Sequence, residues 1–150
     1  MSESLFDRLQ DDMKSAMKAR DKQRLAVLRN LVSKIKGDAI DDPAATSDEG
    51  VTRILLTYAK QREEGLVEAR KAGRDDLAAG EEYELEVVRG YLPEPLGDEE
   101  LEALVAQVVA DTGASSMKDM GKVMKEIVPR AGGRADGSRL SAAVKKRLAG

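Results

Sequence analysis

Apolar residues recur at intervals of three and four along most of the chain. This spacing places them on one side of an α-helix, so it predicts helices throughout. The first helix carries Leu5, Leu9 and Met13 on its apolar side, and either Ser2 or Ser4 can supply its N-cap. The pattern therefore predicts an all-α protein.

Residues with strong turn and capping preferences predict where the next two helices begin and end. The second helix is expected to stop near Gly37, because glycine is common just after the end of a helix. Thr46 and Glu49 have the spacing of a capping box, which predicts the start of the third helix. Gly73 predicts its end.

The fourth helix is predicted to begin at Asp75 or Asp76, since acidic residues suit a helix N-terminus. Its apolar residues lie roughly on one side and are expected to be buried: Leu77, Leu85, Val88 and Leu92.

The segment YLPEPL, residues 91–96, interrupts the helical pattern. Pro93 and Pro95 cannot lie inside a helix, and each pushes the preceding residue towards extended backbone. We therefore predict a four-helix N-terminal domain over residues 1–93 and a small three-helix domain over residues 94–150.

Within the second domain, the acidic run 98–100 suits the start of the first helix, and Gly113 marks its end. Pro129 is expected just past the last clear turn of the second helix, and Asp136 is expected to cap the third. The predicted apolar side of the second helix is a stripe of methionine and branched residues: Met117, Met120, Met124, Ile127 and Val128.

Gly121 lies inside this second helix, where glycine costs about 1 kcal/mol relative to alanine. The explanation favoured from sequence is the close approach of a neighbouring helix. The alternative is room for the backbone of a partner molecule.

Composition supports a helical protein. Hydrophobic residues make up 41% of the chain and charged residues 35%, and there is one Phe, three Tyr and no Trp, which disfavours strand-rich folds. No apolar run approaches the roughly 20 residues that a membrane span needs. The start, MSESLFDRLQDD, lacks the basic and apolar regions of a signal peptide. The sequence therefore predicts a cytoplasmic protein with no membrane partner.

The sequence contains neither histidine nor cysteine. Nucleophilic sites of the Ser-His or Cys-His type and zinc sites with nitrogen or sulfur ligands are therefore excluded. The glycine-rich motifs that bind nucleotide phosphates are also missing. We predict no catalytic residue, no metal and no cofactor.

Charge is unevenly distributed in this protein of net charge −3. Residues 97–116 carry five acidic and no basic side chains, whereas residues 117–150 carry nine basic and three acidic ones. Clustered Lys and Arg displace the counterions of nucleic-acid phosphates, which is the main source of non-specific affinity. The candidate nucleic-acid-binding residues are Lys118, Lys122, Lys125, Arg134, Arg139 and Lys145.

The first three lysines have the spacing of one helix face, and helix N-termini such as the one after GGRADG attract anions. The alternative is an ordinary solvated surface, in which basic residues near the chain end complement a helix dipole. With few aromatic residues, stacking on unpaired bases is disfavoured, so a folded RNA is the better candidate.

The segments YLPEPL, ASSMKDMGKVMK and GRADG, together with the N-terminal helices, resemble the GatB/YqeY domain family and its small stand-alone YqeY-like proteins. The resemblance covers essentially the whole chain. It departs from the family pattern at Gly97, where a Ser or Thr cap is expected. The matching motif positions are Lys118, Gly121, Lys122, Arg134, Asp136 and Gly137.

This resemblance implies that the C-terminal domain is similar to the tail of the B subunit of the tRNA-dependent amidotransferase. That tail recognises tRNA, while other domains of the enzyme perform the kinase and transamidation chemistry. The resemblance also implies the family label of a carbon–nitrogen ligase with glutamine as amido donor. Gly121, Asp136 and Gly137 would be structural members of the motif.

Three hypotheses follow. The leading one is a tRNA-binding accessory module without a catalytic centre of its own. The second is an adaptor that binds an amidotransferase or an aminoacyl-tRNA synthetase. The third, an enzyme that transfers amide nitrogen itself, is the weakest because the chain lacks His, Cys and a nucleotide-binding loop.

Overall fold

The computed structural model describes residues 3–150, which form seven α-helices, two short 3-10 turns and no strand. The all-helical prediction is confirmed. The α-helices are α1 (Leu5–Lys18), α2 (Lys22–Asp41), α3 (Asp48–Lys71), α4 (Asp75–Arg89), α5 (Asp98–Thr112), α6 (Met120–Ala131) and α7 (Gly137–Ala149). The 3-10 turns are Pro43–Thr46 and Met117–Asp119. Within residues 3–150, no helix is both long and apolar enough to cross a bilayer.

The chain divides into two compact units, Met1–Leu92 and Pro93–Gly150. The predicted boundary, after residue 93, differs from this division by one residue. Each unit has its own apolar core. In the first unit, α3 packs along α4 and α1 packs on α2. Its fully buried side chains include Leu9, Leu28, Leu31, Ile35, Val51, Leu55 and Val88.

The first helix begins at a capping serine. The N–H of Asp7 donates to Oγ of Ser4 at 3.1 Å, so Ser4 is the N-cap. Ser2, the other candidate, lies outside the described residues.

The second helix is longer than predicted. It continues through Gly37 to Asp41, because Gly37 keeps a negative φ and its helical hydrogen bonding. A glycine ends a helix when it turns into the left-handed region, as Gly73 does with a φ of 68° just after α3. The prediction of a stop at Gly37 was therefore wrong, and the stop at Gly73 is confirmed.

The third helix is capped by Ser47 and not by Thr46. Oγ of Ser47 accepts the N–H of Gly50 at 3.1 Å, while the Thr46 hydroxyl donates back to the Pro43 carbonyl inside the 3-10 turn. Gly50 is buried, and a Cβ there would lie 2.3 Å from the Ala44 carbonyl oxygen. The capping box predicted one residue earlier was wrong because the 3-10 turn occupies those residues.

The fourth helix begins at Asp75, as predicted, and Leu85 and Val88 are buried. Leu77 is 51% exposed, which contradicts its predicted burial. In this first turn the next residue, Ala78, is buried instead, because Ala78 and Leu85 lie seven residues apart on one side of the helix.

The second unit is a three-helix core with α5, α6 and α7 in mutual contact. The Glu100 carboxylate accepts the N–H of Gly97 at 3.2 Å, which is the half of a capping box that needs no side chain at the N-cap. Gly113, with a φ of 70°, ends α5 as predicted. The buried side chains of the second unit's core are Leu96, Leu101, Val105, Val108, Val123, Ile127, Ala131, Ala135, Leu140 and Val144.

The apolar stripe of α6 differs from the predicted one. Met117 precedes the helix and is 41% exposed, and Val128 is 47% exposed. Pro129 lies inside the helix, two residues from its end, so the prediction that it lies just past the last turn was wrong. Proline lacks the N–H that would donate to the carbonyl four residues earlier, and its place in the last turn confines this loss to the end of the helix. The side that packs in the core contains Met120, Val123, Met124, Ile127 and Ala131.

Gly121 has open space around it, since no heavy atom lies within 4 Å of an ideal Cβ at this position. The favoured explanation, close approach of a neighbouring helix, was therefore wrong. The second explanation, room for a partner, stays a hypothesis.

Candidate nucleic-acid interface

Three of the candidate lysines lie around the start of α6. Lys122 and Lys125 are on the helix, whereas Lys118 lies in the 3-10 turn before it. All three side chains are exposed. The prediction of one line along a single helix was wrong for Lys118, because the i, i+4 relation holds only within a continuous α-helix.

Lys145 lies on the exposed side of α7, near its end. The short connection 132–136 makes α6 and α7 antiparallel neighbours, and α7 also contacts the Met117–Asp119 turn. The end of α7 and the start of α6 therefore lie at the same end of the unit. This places Lys145 at the end that carries Lys118 and Lys122. We call Lys118, Lys122, Lys125 and Lys145 the lysine face.

Arg134 is occupied by internal contacts. Its Nε donates to the Glu94 carbonyl at 2.8 Å, and its Nη2 donates to the Glu100 carboxylate at 3.0 Å. The Arg134 carbonyl in turn accepts the N–H of Leu96 at 2.8 Å. Arg134 thus holds the proline-containing segment and the start of α5 against the loop before α7.

Two more arginines pair with the acidic helix α5. Arg139 donates to the Asp98 carboxylate at 3.1 Å. Arg130 donates to Asp111 at 2.6 Å and to Glu126 at 3.1 Å, and the Asp111 pair lowers the pKa of that carboxyl. Arg130, Arg134 and Arg139 therefore pair with three of the five acidic residues of α5, which are Asp98, Glu100 and Asp111.

The lysine face lacks such ion pairs. Within residues 3–150, its four members form no ion pair with a carboxylate. In the second unit, Arg130, Arg134 and Arg139 thus pair with carboxylates of α5, whereas these four lysines, like Arg147, face solvent without an ion pair among residues 3–150.

One carboxylate lies beside the lysine face. Asp119 accepts the N–H of Ser115 at 2.8 Å and that of Ser116 at 3.3 Å. These hydrogen bonds, with a smaller contribution from Lys122, lower the pKa of Asp119. The charged carboxylate fixes the turn that carries Lys118.

The GRADG motif forms the start of α7. Asp136 caps the helix by accepting the N–H of Arg139 at 2.8 Å, which confirms its predicted capping position, and Gly137 is the first helical residue. The Asp136 carboxylate occupies the place where an anion would meet the helix N-terminus. That feature, considered from sequence as an anion site, is therefore used internally.

Sequence reasoning missed an apolar component of this surface. The exposed Val128 lies seven residues from the exposed Gly121, and Lys125 lies between them on the same side of α6. The exposed Met117 precedes the helix. The sequence pattern had assigned Met117 and Val128 to the apolar side of the second helix, so it gave no signal of their exposure.

No group of three or more acidic side chains within the described part of the chain is arranged to hold a metal ion. The surface offers ammonium groups, backbone and a few apolar side chains. Such a surface can bind an anionic partner by charge and shape.

Comparison with known proteins identifies related sequences along most of the chain. A family model described as Yqey-like protein matches residues 6–148. Altered inheritance of mitochondria protein 41, mitochondrial, of Pyrenophora tritici-repentis is 30% identical over 132 residues, covering 85% of this chain and 73% of that protein. The protein of the same name from Lachancea thermotolerans is 34% identical over 113 residues, covering 72% of this chain and 59% of that protein.

The protein of that name from Clavispora lusitaniae is 30% identical over 127 residues. All three relatives are named as mitochondrial proteins, and this contradicts the cytoplasmic location expected from the sequence. That expectation rested on a missing export signal, which does not distinguish among other compartments. The match over residues 6–148 agrees with the resemblance seen in the motifs, and the chain belongs to the YqeY-like protein family.

Proposed function

We propose that this protein is an accessory module that binds folded RNA of the tRNA class through the lysine face and has no catalytic centre of its own. The observation that carries the proposal is the separation of basic residues in the second unit. Arg130, Arg134 and Arg139 pair with α5, while Lys118, Lys122, Lys125 and Lys145 are exposed without ion pairs among residues 3–150.

Uncompensated lysines suit a phosphate backbone better than a protein surface of mixed charge. Each ammonium can displace a condensed counterion from nucleic acid, and the released counterion provides the gain in free energy. A lysine ammonium is a single compact charge that contacts phosphates of the backbone, so it contributes little sequence specificity. A folded RNA with closely spaced phosphates is the partner that this surface fits.

Gly121 supports a close approach at the same place. It is exposed, it has no neighbour within 4 Å of a Cβ position, and it lies between Lys118 and Lys125 in the chain. A glycine on a helix surface lets another backbone come nearer than any side chain would allow.

Arg134, Arg139 and Asp136, which the sequence had grouped with the contact residues or their motif, take a different part in this proposal. Their internal hydrogen bonds hold the helices that present the lysines. We therefore expect substitutions there to act first on the stability of the second unit.

The test is binding of the purified protein to total tRNA over a series of salt concentrations, with duplex DNA as the competitor. The variant K118E/K122E/K125E should lose about 10-fold to 100-fold in affinity and lower the magnitude of the log–log salt slope by about 2. The matched control is K14E/K18E/K36E, which makes the same charge change at exposed lysines of the first unit.

Equal losses in the two triple variants would show a general charge effect and would overturn the assignment to the lysine face. Binding of duplex DNA as tight as that of tRNA would overturn the choice of folded RNA. A protein partner that stays bound after nuclease treatment, with no affinity for tRNA, would favour the adaptor hypothesis instead.

A second arm uses Gly121→Ala, which adds a methyl group in open space. We expect tRNA affinity to fall severalfold while the thermal midpoint stays the same or rises, because alanine favours the helix. Gly37→Ala is the control, since Gly37 is also helical and open but lies in the first unit. Unchanged affinity in Gly121→Ala would exclude close approach at this residue.

A further inference from the structure

A cavity of about 210 Å³ lies in the first unit. Its walls come from α1, α2, α4 and the turn after α4. The lining residues are Arg8, Arg24, Tyr83, Glu86, Val87, Gly90 and Tyr91. The volume is below the roughly 300–1,000 Å³ of sites for drug-sized ligands, so it suits a smaller molecule.

The two arginines in this cavity are held in place by uncharged groups. The Arg8 guanidinium lies 4.7 Å from the centre of the Tyr91 ring and donates to the Gly90 carbonyl at 3.3 Å. Nη2 of Arg24 donates to the Tyr91 hydroxyl oxygen at 3.4 Å. Neither arginine forms an ion pair with a carboxylate of residues 3–150, whereas ion pairs are formed by Arg62, Arg70, Arg74, Arg89, Arg130, Arg134 and Arg139.

Tyr91 connects the cavity to a carboxylate behind it. Its ring is buried, and its hydroxyl donates to the Asp12 carboxylate. Burial and that hydrogen bond raise the pKa of Tyr91, so the hydroxyl stays protonated at neutral pH. Asp12 is therefore satisfied by tyrosine, and Arg24 retains N–H donors for another acceptor.

A carboxylate also lines the cavity. Glu86 is exposed on α4 and forms no ion pair with a basic side chain in the described part of the chain. Burial raises the pKa of Tyr83, and the charges of Asp21, the N-cap of α2, and of Glu86 add to this shift. The site thus presents two guanidinium groups and a carboxylate to the same small volume, with a tyrosine ring beside them.

We propose that this cavity binds a small zwitterion of the free α-amino acid class. The ligand carboxylate would accept hydrogen bonds from Arg8 and Arg24, whose planar groups match carboxylate geometry. Its ammonium group would pair with Glu86. This site belongs to the first unit and is independent of RNA binding by the second.

The test is an NMR titration of the whole protein with each of the free proteinogenic amino acids, beginning with L-alanine. Binding is observed at the tyrosine ring signals. Saturable shifts are expected at Tyr83 and Tyr91 and not at Tyr58, which lies outside the cavity and serves as an internal control. N-acetyl-L-alanine, L-alanine amide and inorganic phosphate are compared, because each lacks one half of the zwitterion. Each should bind at least about tenfold more weakly than the best amino acid.

Arg24→Met should weaken binding about tenfold or more. Arg29→Met is the matched control, because Arg29 is exposed on the same helix and does not line the cavity. Glu86→Gln, at an exposed position without an ion pair among residues 3–150, should weaken binding of the amino acid and leave binding of N-acetyl-L-alanine unaffected. This variant decides the question if Arg24→Met does not fold.

No saturable shift with any amino acid would overturn the proposal. Equal binding of N-acetyl-L-alanine, or of phosphate, would show a site for anions alone and would equally overturn the zwitterion assignment. An effect of Arg29→Met as large as that of Arg24→Met would show general charge loss and would also contradict it.

Discussion

At the scale of single residues, two helical glycines show that the effect of adding a side chain depends on the surrounding atoms. Gly37 and Gly50 both lie within helices with negative φ, so the backbone alone does not distinguish them. A Cβ at Gly37 would meet open space, whereas one at Gly50 would lie 2.3 Å from the backbone oxygen of Ala44.

We therefore predict opposite effects for the two alanine substitutions. Gly37→Ala should raise the free energy of unfolding by about 0.5–1 kcal/mol, because glycine has the larger conformational entropy when unfolded. Gly50→Ala should lower it by about 1–3 kcal/mol, because the turn Pro43–Thr46 must move. Denaturant unfolding measures both, and a stabilising Gly50→Ala would contradict the close contact between Gly50 and the Ala44 carbonyl oxygen.

Asp119 is a second residue whose effect depends on its contacts. Its pKa is lowered below the ordinary 3.8, first by the N–H of Ser115 and then by that of Ser116. A lowered pKa in the folded protein means that the stabilisation is complete above the unfolded value and is lost as pH falls through the folded value.

Asp119→Asn should accordingly lower the thermal midpoint of the second unit at pH 7. The difference from the unmodified protein should shrink as pH falls below 3.8 and vanish once Asp119 is protonated in the folded state. Melting curves between pH 7 and pH 2 measure this, with Asp41→Asn in the first unit as the control. A difference that did not change with pH would mean that the charge of Asp119 is unimportant.

At the scale of elements, the second unit is held by contacts that begin and end its helices. Arg134, in the loop before α7, joins that loop to Glu94 and to Glu100 in the first turn of α5. The segment 93–96 has little regular structure of its own, so these hydrogen bonds define its path.

Arg134→Met should destabilise the second unit by about 1–2 kcal/mol. A hydrogen bond to a carbonyl contributes about 1 kcal/mol, and a partly exposed ion pair contributes about 0–1 kcal/mol. Arg147→Met removes the same charge from an exposed position on α7 and should have little effect. Equal midpoints in the two variants, measured by urea unfolding, would show that Arg134 does not hold this segment.

At the scale of the whole molecule, the two units have separate cores. The first core extends from Leu9 to Tyr91 along the chain, and the second extends from Leu96 to Val144. A domain of about 60 residues, the size of the second unit, has marginal stability, but many domains of this size fold alone.

A fragment of residues 93–150 should therefore fold alone, with a helical circular-dichroism spectrum and a cooperative thermal transition. Because the lysine face lies within it, the fragment should retain tRNA affinity to within about tenfold of the full chain. A fragment that lacked helix would show that the second core needs the first unit. A folded fragment without tRNA affinity would contradict the proposed RNA surface.

The sequence predicts that the helices exist more reliably than it predicts where they end and which side chains they bury. The seven helices follow from the spacing of apolar residues, and Gly73, Gly113 and Asp136 mark boundaries as predicted. Errors arose at Gly37, Thr46 and Leu77, where the outcome depends on contacts made by a neighbouring turn or helix. Local propensity is a weak guide at such positions because tertiary packing overrides it.

The sequence by itself determined the helical fold, the cores on either side of YLPEPL, and the excess of basic residues in the last third of the chain. These properties depend on periodicity and composition, which are local. Only the tertiary structure decided that Arg134 and Arg139 pair with α5 while the lysines stay exposed, and that Arg8, Arg24 and Glu86 share one cavity. Charges distant in sequence interact through space, so their compensation depends on how the helices pack.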